Sequence, residues 1–468
     1  MARCFCRWRS VVICICTPCI CMFLFFMYVG ILVTMKMQPD TSGTPSVIVS
    51  KPLPRHFVAS GLTRSNSSAP LPVTFWDIDK KQDALWNLLQ FKVDSHFNPI
   101  LNPYITKQRH ASDISESVLM QSFLEVSDPE NVMHNVSKLP QQLQDFVRYM
   151  NKREYPVIIE PNGVCGAGAK HEKEPPLLLM AIKSTELNFK NRQAIRQTWG
   201  QAGWVAGQNR VRDDGGEGKR GAYVRRVFLL AKESIDELGV DVSQLLLLES
   251  QRYGDILQWD FKETFFNLTL KDVLFWDWFN HHCKQIQFIF KGDDDVFVNS
   301  PVMINYLLDQ LRKPQKHAAI MDFMVGEVIG AAKPNNINTS KYFIPKTFYK
   351  GLYPIYAGGG GVVYSGILAR RLHNISKRVH LFPIDDVYVG MCMIRLNAAP
   401  IHHPAFLTFD FPKKEEKEQC AYHKILLVHK RSPAELVHLW TERKRTEAQC
   451  WNVTLRVDKK QKTKTLIK

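Results

Sequence analysis

Apolar runs alternate with amphipathic stretches over the middle of the chain, and this order predicts the fold class. Three continuous apolar runs are typical of strands buried on both faces: residues 176–184 (PLLLMAIKS), 224–231 (VRRVFLLA) and 285–290 (QIQFIF). Helical spacing follows in three places: residues 188–200, a stretch that ends at Gly254, and residues 268–282. Strands that alternate with such helices predict an α/β domain, a mostly parallel sheet with helices on both faces. In such sheets, ligands bind beyond the carboxyl ends of the strands.

A different pattern occupies the N-terminus, where residues 10–35 contain no charge. That length suffices to cross a bilayer, which takes about 20 apolar residues. A cleaved signal peptide would have a shorter apolar core and a small-residue cleavage site, and a buried core helix is rarely uncharged for so long. Arginines precede the run and only Lys36 follows closely, so the positive-inside rule keeps residues 1–9 cytosolic. We therefore expect a type II transmembrane signal anchor, with the remainder of the chain in the lumen.

The lumenal part divides further by composition. Residues 36–72 are rich in Ser, Thr and Pro, which is typical of a stem that separates a domain from a membrane. Helical spacing is intermittent in residues 73–170, which we interpret as an accessory helical region. The sharper pattern of residues 171–455 predicts the main domain, and residues 456–468 form a basic tail.

Charge narrows the function classes only slightly. The 468 residues carry a net charge of +16, with much of the excess near the two ends. A basic balance fits nucleic acid, an anionic membrane surface or anionic small molecules. The sequence has no helix-turn-helix, zinc-finger or RNA-binding signature, so nucleic acid receives no support. No CxxC pair or Cys/His cluster indicates structural zinc.

Two features agree with a lumenal body. The sequence contains six glycosylation sequons: Asn66, Asn135, Asn267, Asn338, Asn374 and Asn452. Six of the eleven cysteines crowd residues 4–21, where they are either acylated at the cytosolic face or apolar filler of the span. The other five form an odd set that leaves at least one thiol unpaired within the chain: Cys165, Cys283, Cys392, Cys420 and Cys450.

The third predicted strand leads into the most informative chemistry, residues 288–299 (FIFKGDDDVFVN). Asp293, Asp294 and Asp295 repel one another unless a cation or hydrogen-bond donors compensate. A hard divalent ion prefers oxygen ligands and would stabilise such a cluster. A solvated acidic turn is the alternative, although apolar residues flank the aspartates on both sides. The pattern leaves both interpretations open.

Three other segments carry candidate site residues. Gly358, Gly359, Gly360 and Gly361 stand in a row, and form either a close backbone approach to a ligand or a flexible loop. Asp385 and Asp386 follow a proline and open a helical pattern, where one carboxylate can cap the helix while the other faces a pocket. His429 ends a short apolar run, where an imidazole is either structural or a metal ligand.

Five segments together resemble the motif series of the animal β-1,3-glycosyltransferases: RQAIRQTWG, DILQWDFKETFFNLTLK, FIFKGDDDVFVN, YPIYAGGGGVVYSG and PIDDVYVGMC. They occur in the family's order between residues 177 and 429. YGDILQWDF and YAGGGGVVYSG resemble the branch of N-acetyllactosaminide β-1,3-N-acetylglucosaminyltransferases that extends poly-N-acetyllactosamine. That branch often has extra cysteines ahead of its catalytic domain, where this chain has only Cys165.

The resemblance implies a GT-A fold, a Rossmann-like nucleotide-sugar-binding catalytic domain over residues 171–455, in a Golgi membrane enzyme. It implies inverting transfer of GlcNAc from UDP-GlcNAc to the 3-hydroxyl of a terminal β-galactose, with Mn²⁺ or Mg²⁺. The implied roles are Asp295 and His429 as metal ligands, Asp386 as the catalytic base, and Ile182, Lys183, Arg192, Asp293, Asp294 and the four glycines as donor-binding residues. A metal would stabilise charge on departing UDP, and a carboxylate would take the proton of the acceptor hydroxyl.

Other functions remain open on the same scaffold. One is a β-1,3-galactosyltransferase, and another is a catalytically silent glycan-binding relative, although such relatives usually lose carboxylates that are present here. A Mg²⁺-dependent phosphoryl transferase is weaker because the sequence has no P-loop signature. The expected acceptor is a glycoprotein or glycolipid glycan, and a homo- or hetero-oligomer with other Golgi glycosyltransferases stays open. We also predict disulfides Cys392–Cys420 and Cys165–Cys283.

Overall fold

The buried strands of the sequence analysis lie at the centre of one mixed α/β unit. The computed structural model describes residues 84–97, 139–163, 165–168, 172–208, 221–313, 320–396, 398–412 and 414–457, all within the unit Pro54–Lys468. The predicted cytosolic tail, membrane span and stem, two sequons (Asn66 and Asn135) and most of the basic tail lie outside these residues. None of the helices within the described ranges is long and apolar enough to cross a membrane.

The elements follow one another along the chain as alternating strands and helices. The described strands are β1 (Val157–Ile159), β2 (Leu178–Lys183), β3 (Gly203–Ala206), β4 (Gly221–Lys232), β5 (Ile256–Lys262), β6 (Phe288–Asp293), β7 (Phe297–Val298), β8 (Met324–Gly326), β9 (Val328–Ile329), β10 (Tyr356–Ala357), β11 (Gly361–Ser365), β12 (Ile401–His402), β13 (Phe406–Leu407) and β14 (Leu427–Val428). The described α-helices are α1 (Leu85–Phe97), α2 (Gln141–Tyr149), α3 (Phe189–Gln197), α4 (Ile235–Leu238), α5 (Ser243–Tyr253), α6 (Leu268–His282), α7 (Ser300–Arg312), α8 (Gly366–Ser376), α9 (Asp385–Arg395) and α10 (Pro433–Arg445).

Nine of the described strands form the main sheet in the order β1-β5-β4-β2-β6-β11-β8-β12, with β3 paired to β4. The central strands β5, β4, β2 and β6 are parallel, as predicted. However, β1, β3 and β11 join their neighbours antiparallel, so half of the neighbouring pairs are antiparallel. The sheet is therefore mixed and not mostly parallel, although its central strands have the predicted direction. A fully buried run such as β11 does not encode its direction, because both faces are apolar whichever way the strand points.

Helices cover both faces of the sheet, which confirms that part of the prediction. Successive residues of β2 alternate between two apolar cores, so that Ala181 packs in one core and Ile182 in the other. The first core is shared with α1, α2, α6, α8 and α9, and the second with α3, α5, α7 and α10. All six residues of β2 are buried, which fixes the strand from which the candidate site projects.

The accessory region and the sheet share one core. In α1, the indole of Trp86 donates to the carbonyl of Leu381 (3.1 Å) and packs edge-on against Phe382 (5.6 Å between ring centroids). Arg395 at the end of α9 binds the carboxylate of Asp94 in α1 (2.6 Å). The sheet also begins ahead of residue 171, because β1 pairs with β5.

The disulfides correct one prediction. Cys165 and Cys283 are joined, as predicted, but Cys420 pairs with Cys450 and not with Cys392. Cys392 is a free thiol buried within α9, where burial raises its pKa to about 12. Cys420 lies in a surface turn near the end of α10, so Cys450 reaches it and the interior of α9 does not.

Four sequons fall on described residues. Asn338, Asn374 and Asn452 are exposed, and Asn267 is half-buried at the start of α6, where its amide donates to the carbonyl of Lys262 (2.8 Å).

Candidate active site

The candidate residues meet in one cavity at the carboxyl edge of the parallel strands. β2 ends at Lys183, β6 ends at Asp293 beside it in register, and α9 begins at Asp385. The space between them is a cavity of about 760 Å³, which we call the central cavity. The predicted residues that line it are Lys183, Asp293, Asp294, Asp295, Gly358, Gly359, Gly360, Asp386 and His429.

Three side chains have the spacing and chemistry of a metal site. One ligand atom each from Asp293, Asp295 and His429 lies within 4.8 Å of the other two. His429 Nε2 is 3.1 Å from Asp295 and 3.7 Å from Asp293. The other ring nitrogen, Nδ1, donates to the carbonyl of Thr408 (3.2 Å), so Nε2 points toward the carboxylates. Two carboxylates and one imidazole suit a divalent cation such as Mn²⁺ or Mg²⁺.

The electrostatics of this cluster agree with a cation. Burial, together with the carboxylates of Asp385 and Asp295, raises the pKa of Asp293 to about 7, and Lys183 offsets this only in part. Burial disfavours the charged form of His429, but Asp295 and Asp293 raise its pKa above the usual value. Adjacent carboxyl groups are difficult to ionise at the same time, and a bound cation stabilises their ionised forms.

Asp294 has a different role from its neighbours. Its carboxylate turns inward and accepts hydrogen bonds from Ser184 Oγ (2.6 Å) and Asn188 Nδ2 (3.0 Å), so it secures the turn between β2 and α3. Burial raises the pKa of Asp294 despite these bonds. The alternation along the DDD segment explains the division, because Asp293 and Asp295 point to one side and Asp294 to the other. The structure therefore places Asp293 in the candidate metal site, whereas the sequence resemblance assigns it to donor binding.

The glycine run permits close packing of functional side chains rather than forming a loose loop. A Cβ on Gly359 would lie 2.5 Å from Oδ2 of Asp386, and a Cβ on Gly360 would lie 3.0 Å from Cβ of His429. Gly361 begins β11 and does not line the central cavity, since a Cβ there would meet Leu427 at 2.5 Å. Any side chain at position 359 or 360 would displace a candidate catalytic or metal-binding group.

The two carboxylates at the start of α9 are in different electrostatic states. Neither caps the helix, whose N-cap is Ile384. Asp385 forms an ion pair with Lys183, whereas none is found for Asp386 among the described residues. Burial opposes ionisation of Asp385, yet Lys183 and Lys291 lower its pKa to about 2. Burial and the adjacent Asp385 anion raise the pKa of Asp386 well above its usual value, which makes Asp386 the stronger proton acceptor.

A buried chain of charges fixes Lys183 on Asp385. Asp272 in α6 is fully buried and contacts both Lys183 (3.0 Å) and Lys291 (2.6 Å). Sequence reasoning missed Asp272 and Lys291. The signals were a Lys-Asp pair inside an otherwise apolar helical stretch, and a lone lysine in a buried strand. Charges at such positions are rarely left without partners.

Two predicted donor-binding side chains do not line the central cavity. Ile182 is fully buried in the second core, because the strand alternation that points Lys183 outward points Ile182 inward. Arg192 is also fully buried, and its guanidinium binds Glu249 (2.7 Å) and the hydroxyl of Ser184 (3.1 Å). Arg192 therefore stabilises the turn between β2 and α3, which Asp294 contacts, rather than lining the site.

Comparison with known proteins agrees with this geometry. Residues 190–404 match the galactosyltransferase family model. The chain is 38% identical to human N-acetyllactosaminide β-1,3-N-acetylglucosaminyltransferase 2 over 80% of this chain and 88% of that protein. It is 40% identical to rat UDP-GlcNAc:βGal β-1,3-N-acetylglucosaminyltransferase 7 over 64% of this chain and 71% of that protein. It is 39% identical to mouse N-acetyllactosaminide β-1,3-N-acetylglucosaminyltransferase 4 over 66% of this chain and 80% of that protein.

Proposed function

The chain belongs to the galactosyltransferase family, among its β-1,3-N-acetylglucosaminyltransferases, and on that premise we propose its substrates and the roles of its residues. The donor is UDP-GlcNAc, and GlcNAc is transferred to the 3-hydroxyl of a terminal β-galactose on N-acetyllactosamine-type glycans. The observation that carries this proposal is the pairing of a free, half-buried Asp386 with a metal-type trio in one cavity. The donor and acceptor classes follow the names of the relatives.

The donor side of the cavity provides for a nucleotide diphosphate. Asp293, Asp295 and His429 would bind Mn²⁺ or Mg²⁺, and that ion would stabilise negative charge on the departing UDP. Ser184, Thr185 and Asn188 line the cavity at the end of β2, the edge at which nucleotides bind in α/β sheets. Lys183 remains paired with Asp385 and Asp272, so its charge is directed at the base side of the cavity.

The acceptor side requires a proton acceptor. A sugar hydroxyl is a poor nucleophile near neutral pH, so a carboxylate must take its proton as the oxygen attacks the donor sugar. Asp386 is suited to this step because it lines the cavity with no ion-pair partner found among the described residues, whereas the ion pair with Lys183 lowers the pKa of Asp385 and leaves it a weak base. One base and one displacement invert the anomeric centre and give a β linkage, with no covalent sugar–enzyme intermediate.

The proposal also includes the finer fold and the location. A GT-A fold is supported by the mixed α/β sheet with carboxylates at the end of β6. A Golgi enzyme of type II topology, anchored by residues 10–35, is supported by the uncharged run and the six sequons. A silent glycan-binding relative is disfavoured because Asp293, Asp295 and Asp386 converge in one cavity.

The test is a donor-by-acceptor panel on the full-length chain, with Mn²⁺, with Mg²⁺ and with a chelator. We expect β-1,3-linked GlcNAc on β-galactosides only with UDP-GlcNAc and metal. Transfer from UDP-Gal alone would support the second candidate, a β-1,3-galactosyltransferase, which the family model's description favours. Asp386→Asn should lower kcat by about 10² to 10⁴ with UDP affinity retained. The control is Asp309→Asn on the exposed side of α7, and full activity in Asp386→Asn would refute the base assignment.

A further inference from the structure

A second cavity lies beside the central cavity and is not used by the proposed chemistry. It measures about 830 Å³ and lies between helix α2 and the ends of β4 and β5, and we call it the lateral cavity. Its lining includes Asp145, Arg148, Tyr149, Tyr155, Lys232 and Asp260. The ends of β4 and β5 belong to the same carboxyl edge that carries the candidate active site, where ligands of α/β sheets bind.

One thin wall separates the two cavities. In the segment that joins β5 to α6, Lys262, Thr264 and Asn267 line the lateral cavity, whereas the intervening Glu263 and Phe265 line the central cavity. The segment before α9 has the same property, because Leu381 lines the lateral cavity and residues 384–386 line the central one. Only the thickness of these two segments therefore separates a ligand that has one end at Asp386 from the lateral cavity.

The charges of the lateral cavity select against an anionic ligand. Among the residues that the structure describes, four acidic and four basic side chains line it: Asp145, Glu233, Asp236, Asp260, Arg148, Lys152, Lys232 and Lys262. Two of the opposite pairs are in loose contact, Lys232 with Asp260 at 3.8 Å and Arg148 with Asp145 at 3.6 Å. These four side chains are between 39% and 50% exposed, so their polar atoms can exchange water for ligand hydroxyls. A nucleotide or phosphate would need an excess of positive charge, which the described residues of this lining do not supply.

Aromatic side chains supply the other half of sugar recognition. Tyr149 is 55% exposed at the end of α2. Tyr155 packs edge-on against Phe261 (5.5 Å between centroids), and the ammonium of Lys152 lies 4.5 Å from the Tyr155 ring centre. An exposed tyrosine offers a flat apolar face and a hydroxyl at low conformational cost. Neutral sugars present apolar ring faces and many hydroxyls, which match this combination.

The geometry points to a binding site for a neutral oligosaccharide in the lateral cavity, namely the part of the acceptor glycan behind its terminal galactose. The inference rests on the proposed function and adds to it a second contact region for long acceptors. A chain with several N-acetyllactosamine units would contact both cavities, whereas a single unit would contact only the central one.

The experiment compares two acceptors, the disaccharide N-acetyllactosamine and a hexasaccharide of three N-acetyllactosamine units, on the full-length chain. The wild type should have a lower KM for the hexasaccharide. Tyr149→Ala should raise the hexasaccharide KM by roughly 5- to 30-fold, the loss expected of one buried aromatic contact, and leave the disaccharide KM within about twofold. Trp451→Ala, which removes an aromatic side chain 46% exposed and outside both cavities, should change neither KM.

The outcomes separate the two proposals. Equal KM values for both acceptors in the wild type, or an equal change for both in Tyr149→Ala, would overturn the lateral site while leaving the transferase intact. Transfer to neither acceptor would refute the proposed function. In that case equilibrium titration of the hexasaccharide decides the lateral site: binding that Tyr149→Ala weakens supports it, and absent binding or equal binding overturns it.

Discussion

Gly359→Ala tests the arrangement of the site without removing any functional group. The new Cβ would lie 2.5 Å from Oδ2 of Asp386, whereas ordinary contacts begin at 3.4 Å, so the carboxylate has to move by about 0.9 Å. A misplacement of about 1 Å typically costs about 10²-fold in rate, or about 2.7 kcal/mol of activation free energy. Because Gly359 has no positive φ, the substitution adds no backbone strain. We therefore expect kcat to fall about 100-fold with little change in Tm.

The assay is steady-state transfer from UDP-GlcNAc to N-acetyllactosamine, with UDP binding and Tm measured in parallel. Gly330→Ala is the matched control, because a Cβ at Gly330 meets nothing within 4 Å. A Gly359→Ala variant with the kcat of Gly330→Ala would refute the reasoning, since Asp386 would then tolerate displacement. A loss that appears only in UDP affinity would also contradict it, because the clash is with Asp386 and not with the metal trio.

Three further predictions concern the surroundings of the site. Asp295→Ala should abolish the metal dependence of UDP binding measured by calorimetry, and equal binding with and without Mn²⁺ in the wild type would contradict the metal assignment. Asp272→Asn should lower kcat and leave KM little changed, because Lys183 loses the partner that fixes it on Asp385. Asp272→Glu should recover part of the rate. Asp94→Asn breaks another buried ion pair and should lower only Tm, so equal kcat losses in both variants would exclude a specific role for Asp272. Burial and the nearby Arg153 lower the pKa of His380 to about 3, so unfolding takes up a proton between about pH 6.5 and pH 3 and stability is lost as the pH falls through that range. Urea unfolding at pH 7 and pH 5 should show a loss of about 2 kcal/mol for this histidine, because the slope of about 1.4 kcal/mol per pH unit applies only below about pH 6.5. His380→Gln should remove this loss, and an unchanged difference between the two pH values would count against the assignment.

The predictable parts of the fold are those in which one periodicity persists over many residues. The helix predicted at residues 268–282 coincides with α6, and Gly254 ends α5 in the left-handed conformation expected of a C-terminal glycine. The direction of β11 was not predictable, because a sequence that is apolar on both faces does not indicate whether the strand runs parallel or antiparallel to its neighbour. The Cys420–Cys450 bridge was missed for a similar reason, since spacing along the chain does not reveal which thiols the fold brings together.

The site itself was predictable at the level of segments but not of individual atoms. Runs of aspartate and glycine identified the loops that meet at the central cavity. Which carboxylate lies on which side depends on the backbone geometry after β6, and this geometry directs Asp294 away from Asp293 and Asp295. The difference between Asp385 and Asp386 depends on Lys183, about 200 residues away in the sequence and brought near by the fold.

The ion pair between Asp94 and Arg395 has a practical consequence for anyone who shortens this protein for secretion. Both side chains are nearly inaccessible to water, and they join α1 to the end of the helix that begins with Asp385 and Asp386. Removal of the chain up to residue 97 would delete this ion pair and uncover the apolar core that Trp86 and Leu89 share with Phe382. A truncated enzyme that starts at the sheet would therefore be poorly folded or inactive even with every residue of the central cavity intact, and the cut should fall before residue 84.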